Sequence, residues 1–247
     1  MDNTTEEKQP VTSHLEELRK RLIYSFIAVG VSFIICFTFK EWLFKILTLP
    51  LVATLPENSS MIFTSLPEAF FTYLKVSFFG GLFLASPFVL YQIWKFISPG
   101  LYVSEKKYAF PFVFFSTICF LGGSLFAYFV VFPFGFKFFV GFATDFIKPM
   151  LTLKEFLSFS CKLLLAFGII FELPIFMFFM ARIGLVNSRT LSAKRKYAIL
   201  ITFIVAAVLT PPDVVTQIIM AIPVMLLYEI SIWIVRLAEK KEAKNTV

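Results

Sequence analysis

Apolar residues in this chain gather in long runs, separated by short polar stretches where the charges collect. A helix needs about 20 apolar residues to cross roughly 30 Å of hydrocarbon. On that measure the candidate spans are Leu22–Phe39, Ala69–Ile97, Tyr108–Phe132, Phe156–Ile183, Ala198–Leu209 and Ile218–Val235. The expected fold is an all-α polytopic membrane protein with six transmembrane helices, which puts both termini on one side. The fifth run is short, because twelve residues rise only about 18 Å. The sixth is barely adequate and carries Glu229. Either the bilayer thins around these two, or they end early beside other helices. Pro87, Pro174 and Pro223 fall inside the second, fourth and sixth spans and are expected to bend them. Six bent helices suit a curved wall better than a straight bundle.

The connections set the orientation. Arg19, Arg21, Arg182, Arg189, Arg195 and Arg236, with Lys106 and Lys107, all fall in the segments on the side of the termini. The positive-inside rule makes that side the cytoplasm, an N-in/C-in arrangement. Residues 1–247 then form a single six-span membrane domain, with a cytoplasmic amphipathic segment at 1–21 and a cytoplasmic tail at 236–247. On the outer side, Glu41–Leu51 reads as an amphipathic interfacial helix stopped at Pro50. Gly135–Glu155 reads as a loop carrying Asp145, Lys148 and Pro149, and Thr210–Asp213 as a tight turn. Trp42, Trp94 and Trp233 lie near span ends, as interfacial belts require. No internal repeat stands out.

Composition removes several classes. The chain is 58% hydrophobic and 16% charged, with 35 phenylalanines; a soluble domain carries about a quarter charged residues. The net charge of +7 comes from basic residues between apolar runs, not from a basic patch with interleaved aromatics, so no nucleic-acid partner is expected. The polar N-terminus leads into no short apolar core with a cleavage site, so the first span is expected to be retained. Cys36, Cys119 and Cys161 are scattered through apolar runs and give neither a disulfide framework nor a metal cluster. The sole histidine, His14, lies outside the spans, and neither an HExxH motif nor paired midplane aspartates occur. No catalytic, cofactor or metal site is expected.

What remains is a small set of polar residues in conspicuous places. Residues 13–22 form an amphipathic segment running unbroken into the first span. Ser13 and Glu16 have capping-box spacing, Leu15, Leu18 and Leu22 share a face, and Glu17 points away from them. Glu17 is either part of a solvated helix start, paired with Arg21 at i,i+4, or a binding group. Glu105 follows Ser104, a candidate helix cap, on the same side; Lys106 and Lys107 compete for it. Two fixed carboxylates there suit two guanidinium groups, because bidentate, partly shielded arginine pairs are strong and selective. Glu172 lies deep in the fourth span, where a charge costs at least about 3 kcal/mol. It is either a structural interhelical bond or a binding or proton-linked group. Thr210, Asp213 and Gln217 form a second polar group at the outer end of the fifth and sixth spans, with a plain helix cap the default for Asp213. Glu229, Lys75 and Lys162 can reach the headgroups and are given no role.

Five runs carry a resemblance: 14–22 (HLEELRKRL), 86–102 (SPFVLYQIWKFISPGLY), 126–133 (FAYFVVFP), 167–174 (FGIIFELP) and 209–213 (LTPPD). In order and in the right spans, they make the chain similar to the TatC family, the six-span core of the twin-arginine protein translocase. The resemblance implies a concave, glove-like wall in the bacterial cytoplasmic (inner) membrane. It implies binding of the twin-arginine signal peptides of folded proteins through Glu17, Arg19, Phe96 and Glu105. It further implies recruitment of TatA- and TatB-type single-span partners through a polar patch at Glu172, Thr210 and Gln217, in a homo-oligomeric receptor complex driven by the proton motive force. Gly100 stands where the family often has alanine. The alternative is a proton-coupled secondary transporter using Glu172, which predicts more polar residues converging near the midplane.

Overall fold

The computed structural model describes residues 11–55, 61–97, 109–144, 150–210 and 213–245. Among them every regular element is helical, apart from one isolated bridge between Ile62 and Thr152. In order these are α1 (Val11–Thr38), α2 (Lys40–Val52), α3 (Glu68–Ile97), α4 (Ala109–Phe126), a π turn (Ala127–Val131), α5 (Phe132–Val140), α6 (Leu153–Ile170), α7 (Leu173–Arg182), α8 (Ser188–Ala193), α9 (Arg195–Leu209) and α10 (Val214–Asn245). Five stretches are long and apolar enough to cross a membrane: His14–Thr38, Glu68–Ile97, Pro111–Val140, Leu153–Arg182 and Val214–Glu239. The remaining expected span lies in α9, whose 15 residues rise only about 22 Å.

Several boundaries differ from the sequence expectation. The helix already runs at Val11, so Ser13 has a helical backbone and is no N-terminal cap. Pro50 does not stop α2, which continues to Val52. Proline removes one amide and orphans the carbonyl four residues back; here that carbonyl, of Ile46, accepts the Tyr128 hydroxyl at 2.6 Å. Pro87 is tolerated inside α3 in the same manner, since the Ser86 hydroxyl donates to the Phe83 carbonyl at 2.7 Å. Pro223 also lies within a continuous helix. Only Pro174 coincides with a break, between α6 and α7. The third span does not end at Phe132: the helix continues through the π turn into α5, with Pro133 just past the π turn, so that Pro111–Val140 is one unbroken helical stretch.

Close helix contacts depend on small residues, as expected where lipid offers no hydrophobic drive for association. A Cβ on Gly81 would come within 2.7 Å of the Phe33 amide, so α1 and α3 touch backbone to backbone. A Cβ on Gly123 would strike the Phe167 carbonyl, and one on Gly168 would lie 2.8 Å from the Phe120 ring, locking α4 against α6. Between these helices Phe126 packs on Phe167 and Phe171 with centroids 5.7 and 5.5 Å apart. Trp94 is not interfacial: it is buried, stacked on Phe112, with its indole N–H donating to Ser116 Oγ at 3.0 Å. Trp42 and Trp233 are exposed.

The two ends of the molecule are tied separately. At the end where α1 starts and α10 finishes, Glu239 of α10 accepts the Ser188 amide and hydroxyl at 2.7 and 2.6 Å, beside the Asn187 cap of α8. Tyr228 donates to the Leu191 carbonyl, and Arg195 pairs with Glu229 at 2.7 Å. At the opposite end Ile62 exchanges backbone hydrogen bonds with Leu151 and Leu153, joining the stretch before α3 to the stretch before α6.

Candidate functional site

Near the termini, the first turns of α1 lie beside the last turns of α3. Arg21 Nη2 donates to Glu17 Oε1 at 2.8 Å, and its Nη1 reaches Gln92 Oε1 of α3 at 3.3 Å. The i,i+4 pairing is the local consequence of helix geometry; the anchor to Gln92 needs the tertiary fold. Both charges are partly shielded, with side-chain exposures of 18% for Arg21 and 26% for Glu17. Arg21 Nε is buried without a hydrogen-bond partner, and Glu17 Oε2 receives no hydrogen bond from the described residues. One turn away His14 and Phe96 stack, centroids 4.5 Å apart and planes 21° apart, while Arg19 is exposed. Glu17, Arg19 and Phe96 thus share this end of the α1–α3 pair; Glu105 and Ser104 lie outside the described residues. A half-shielded carboxylate with one oxygen unbonded among the described residues, beside an aromatic pair, suits a cation bearing planar N–H groups.

Glu172 sits in the break between α6 and α7, two residues before Pro174. Its amide bonds Ile169 O rather than continuing the α-helical pattern. The Ser116 hydroxyl and Cys119 of α4 are its polar neighbours, with Trp94 behind Ser116. Glu172 Oε1 is buried with no hydrogen-bond partner. At the α9–α10 turn, Thr210 is buried and its hydroxyl bonds Ala206 O. Gln217 Nε2 donates to Phe203 O at 2.9 Å across to α9. Asp213 is the cap that its place before α10 suggested, accepting the Thr216 amide at 2.7 Å and the Thr216 hydroxyl. The patch thus falls into two groups, and no hydrogen bond among the described residues joins Glu172 to the other three.

The sequence reading overlooked Glu68, which is 6% exposed. Its Oε2 accepts the Thr64 amide at 2.6 Å, the Thr64 hydroxyl at 3.0 Å and the Ser65 amide at 3.3 Å. Its Oε1 accepts the Lys154 amide at 2.8 Å, so one carboxylate holds both loops of the Ile62–Thr152 bridge. The Ser65-to-Glu68 spacing is itself a capping box and was the available signal. Glu229 was likewise given no role, yet it pairs with Arg195. No group of three or more metal-ligating residues exists among the described residues.

These features define a polytopic helical membrane protein whose polar groups sit at helix ends and breaks. The family model described as Sec-independent protein translocase protein (TatC) matches residues 13–223. Sec-independent protein translocase protein TatC of Desulforapulum autotrophicum is 59% identical over 96% of this chain and 88% of its own length. That of Magnetococcus marinus is 47% identical over 99% and 90%. A crystal structure of the twin-arginine translocase receptor TatC superposes with a TM-score of 0.82 at 42% identity, covering 92% of this chain and 99% of that one. The chain belongs to the TatC family of protein translocase components. It is accordingly a part of the twin-arginine export machinery and not an enzyme.

Proposed function

We propose that this chain is the signal-peptide receptor and assembly scaffold of its translocase, in the cytoplasmic membrane with both termini inside. Twin-arginine signal peptides of folded proteins dock at the α1–α3 end, one guanidinium on Glu17 and the other on Glu105, with Arg19 and Phe96 beside them. The observation that carries this reading is the Glu17 carboxylate, held by an Arg21 that is itself anchored to Gln92, with Oε2 receiving no hydrogen bond from the described residues. The Glu105 assignment rests on the family resemblance alone.

Glu172, Thr210 and Gln217 recruit TatA- and TatB-type single-span partners, and copies of the chain associate in the receptor complex, with transport driven by the proton motive force. A buried carboxyl oxygen without a partner at a helix break supports a bond completed by another helix, since an unmade bond there is costly. Asp213 contributes the α10 cap.

Photocrosslinking from residues 14–22 to a leader peptide tests the receptor reading. Glu17→Gln with Glu105→Gln lowers the crosslink about tenfold or more, while the protein remains inserted. A Lys-Lys leader docks equally poorly. Equal crosslinking in the double variant, or with the Lys-Lys leader, removes the assignment.

A further inference from the structure

Two hollows lie one above the other on the seam between α3 and α6, which both enter the membrane from the end opposite the termini. The first, of about 280 Å³, lies at that end beneath Ser65 and Thr72 and is flanked by Lys75 and Lys154. Both lysines are exposed, and neither has an ion-pair partner among the described residues. Glu68 also borders it, with both carboxylate oxygens turned to the Thr64, Ser65 and Lys154 donors, so one carboxylate and two ammonium groups leave a net positive charge at the mouth. The second hollow, of about 430 Å³, begins one turn deeper at Val76 and Cys161 and reaches Phe83 and Leu164. From Thr72 to Phe83 the helix advances about 16 Å.

The deeper hollow is built for hydrocarbon. Its two hydroxyls are already engaged, Ser124 with Phe120 O and Leu164 O, and Tyr128 with Ile46 O. On its rim Leu125 and Phe129 are exposed, so it opens at the surface of the helix bundle. It is about three times the roughly 150 Å³ of an apolar cavity that stays dry and admits benzene. A cationic mouth above an apolar slot at bilayer depth complements one molecule.

We propose that this seam holds an anionic phospholipid of the leaflet opposite the termini. Its phosphate lies between Lys75 and Lys154, and one acyl chain fills the slot between α2, α3, α4 and α6. Juxtamembrane lysines attract such headgroups individually, and two around one pocket fix a single molecule.

Native mass spectrometry of the full chain, purified from bilayers of equimolar phosphatidylglycerol and phosphatidylcholine, tests this. One phosphatidylglycerol is retained with about tenfold preference. Lys75→Gln with Lys154→Gln, both at exposed positions, abolishes the preference. Leu125→Trp, at the exposed rim, lowers retention of either lipid but leaves the preference intact. Equal retention of the two lipids by the unaltered chain overturns the proposal, as does a preference surviving the double substitution. Displacement by inorganic phosphate as readily as by lysophosphatidylglycerol reduces the site to a bare anion pocket and overturns the acyl seat. A stable, lipid-free chain hands the slot to a neighbouring helix and overturns it too.

Discussion

Glu68 and Glu172 both interrupt apolar sequence, and their surroundings give them opposite uses. Glu68 meets four donors, three from the stretch before α3 and one from the first turn of α6, and is saturated; Glu172 leaves Oε1 buried and unmatched. Replacing Glu68 by alanine removes the shared acceptor while leaving the helices their apolar packing. Amides of Thr64, Ser65 and Lys154 should then exchange with solvent about tenfold faster or more, as local openings do when their bonds are lost. Hydrogen exchange that leaves these three unchanged would show that the Ile62–Thr152 bridge alone holds the loops. At this scale the sequence showed the residue types and some local pairs. Glu17–Arg21 could be read from spacing, and so could the Asp213 cap. Arg21–Gln92 and Glu68–Lys154 could not, because their partners are 71 and 86 residues apart.

Among the elements, the prolines are the instructive case. Their positions predict bends in three spans; the helix is unbroken at Pro87 and Pro223 and broken beside Pro174, and at Pro87 and Pro50 another group adopts the orphaned carbonyl. For Pro50 that group is Tyr128, whose ring sits on the π turn of the third span. Tyr128→Phe should cost about 1 kcal/mol of stability, the usual worth of one such bond. In a Pro50→Ala background, where the helix supplies its own amide to Ile46, the same change should cost close to nothing. Thermal unfolding in detergent of the four proteins completes the cycle, and an undiminished cost in the Pro50→Ala background would refute the link. Five spans were legible from apolar run length. Their ends were not, because Phe132–Val140 looks like a loop once Pro133 is taken as a stop, and Trp94 looks interfacial until Ser116 and Phe112 enclose it.

Over the whole molecule, the proposed arrangement of ends makes a labelling prediction. The native cysteines make this tractable, because Cys36 and Cys161 are buried and Cys119 partly so. A membrane-impermeant maleimide should label Lys45→Cys from outside intact cells, and Arg189→Cys only after permeabilisation; both positions are exposed. The reverse pattern would invert the topology and move the proposed receptor to the wrong face. Charge asymmetry between the loops is what the proposed orientation rests on. The close fit of α4 against α6 was not, since Gly123 and Gly168 look like ordinary membrane glycines until their helices cross.

The brevity of α9 has a consequence for the lipid around it. A 15-residue helix falls short of the usual hydrocarbon depth by about 8 Å, and on the six-span reading acyl tails would pucker to meet it, at a fraction of a kcal/mol for each ångström. That dimple stays in one place, beside the Thr210–Gln217 turn. A bulky cargo seeking the least costly crossing would find the permeability barrier already worn down there.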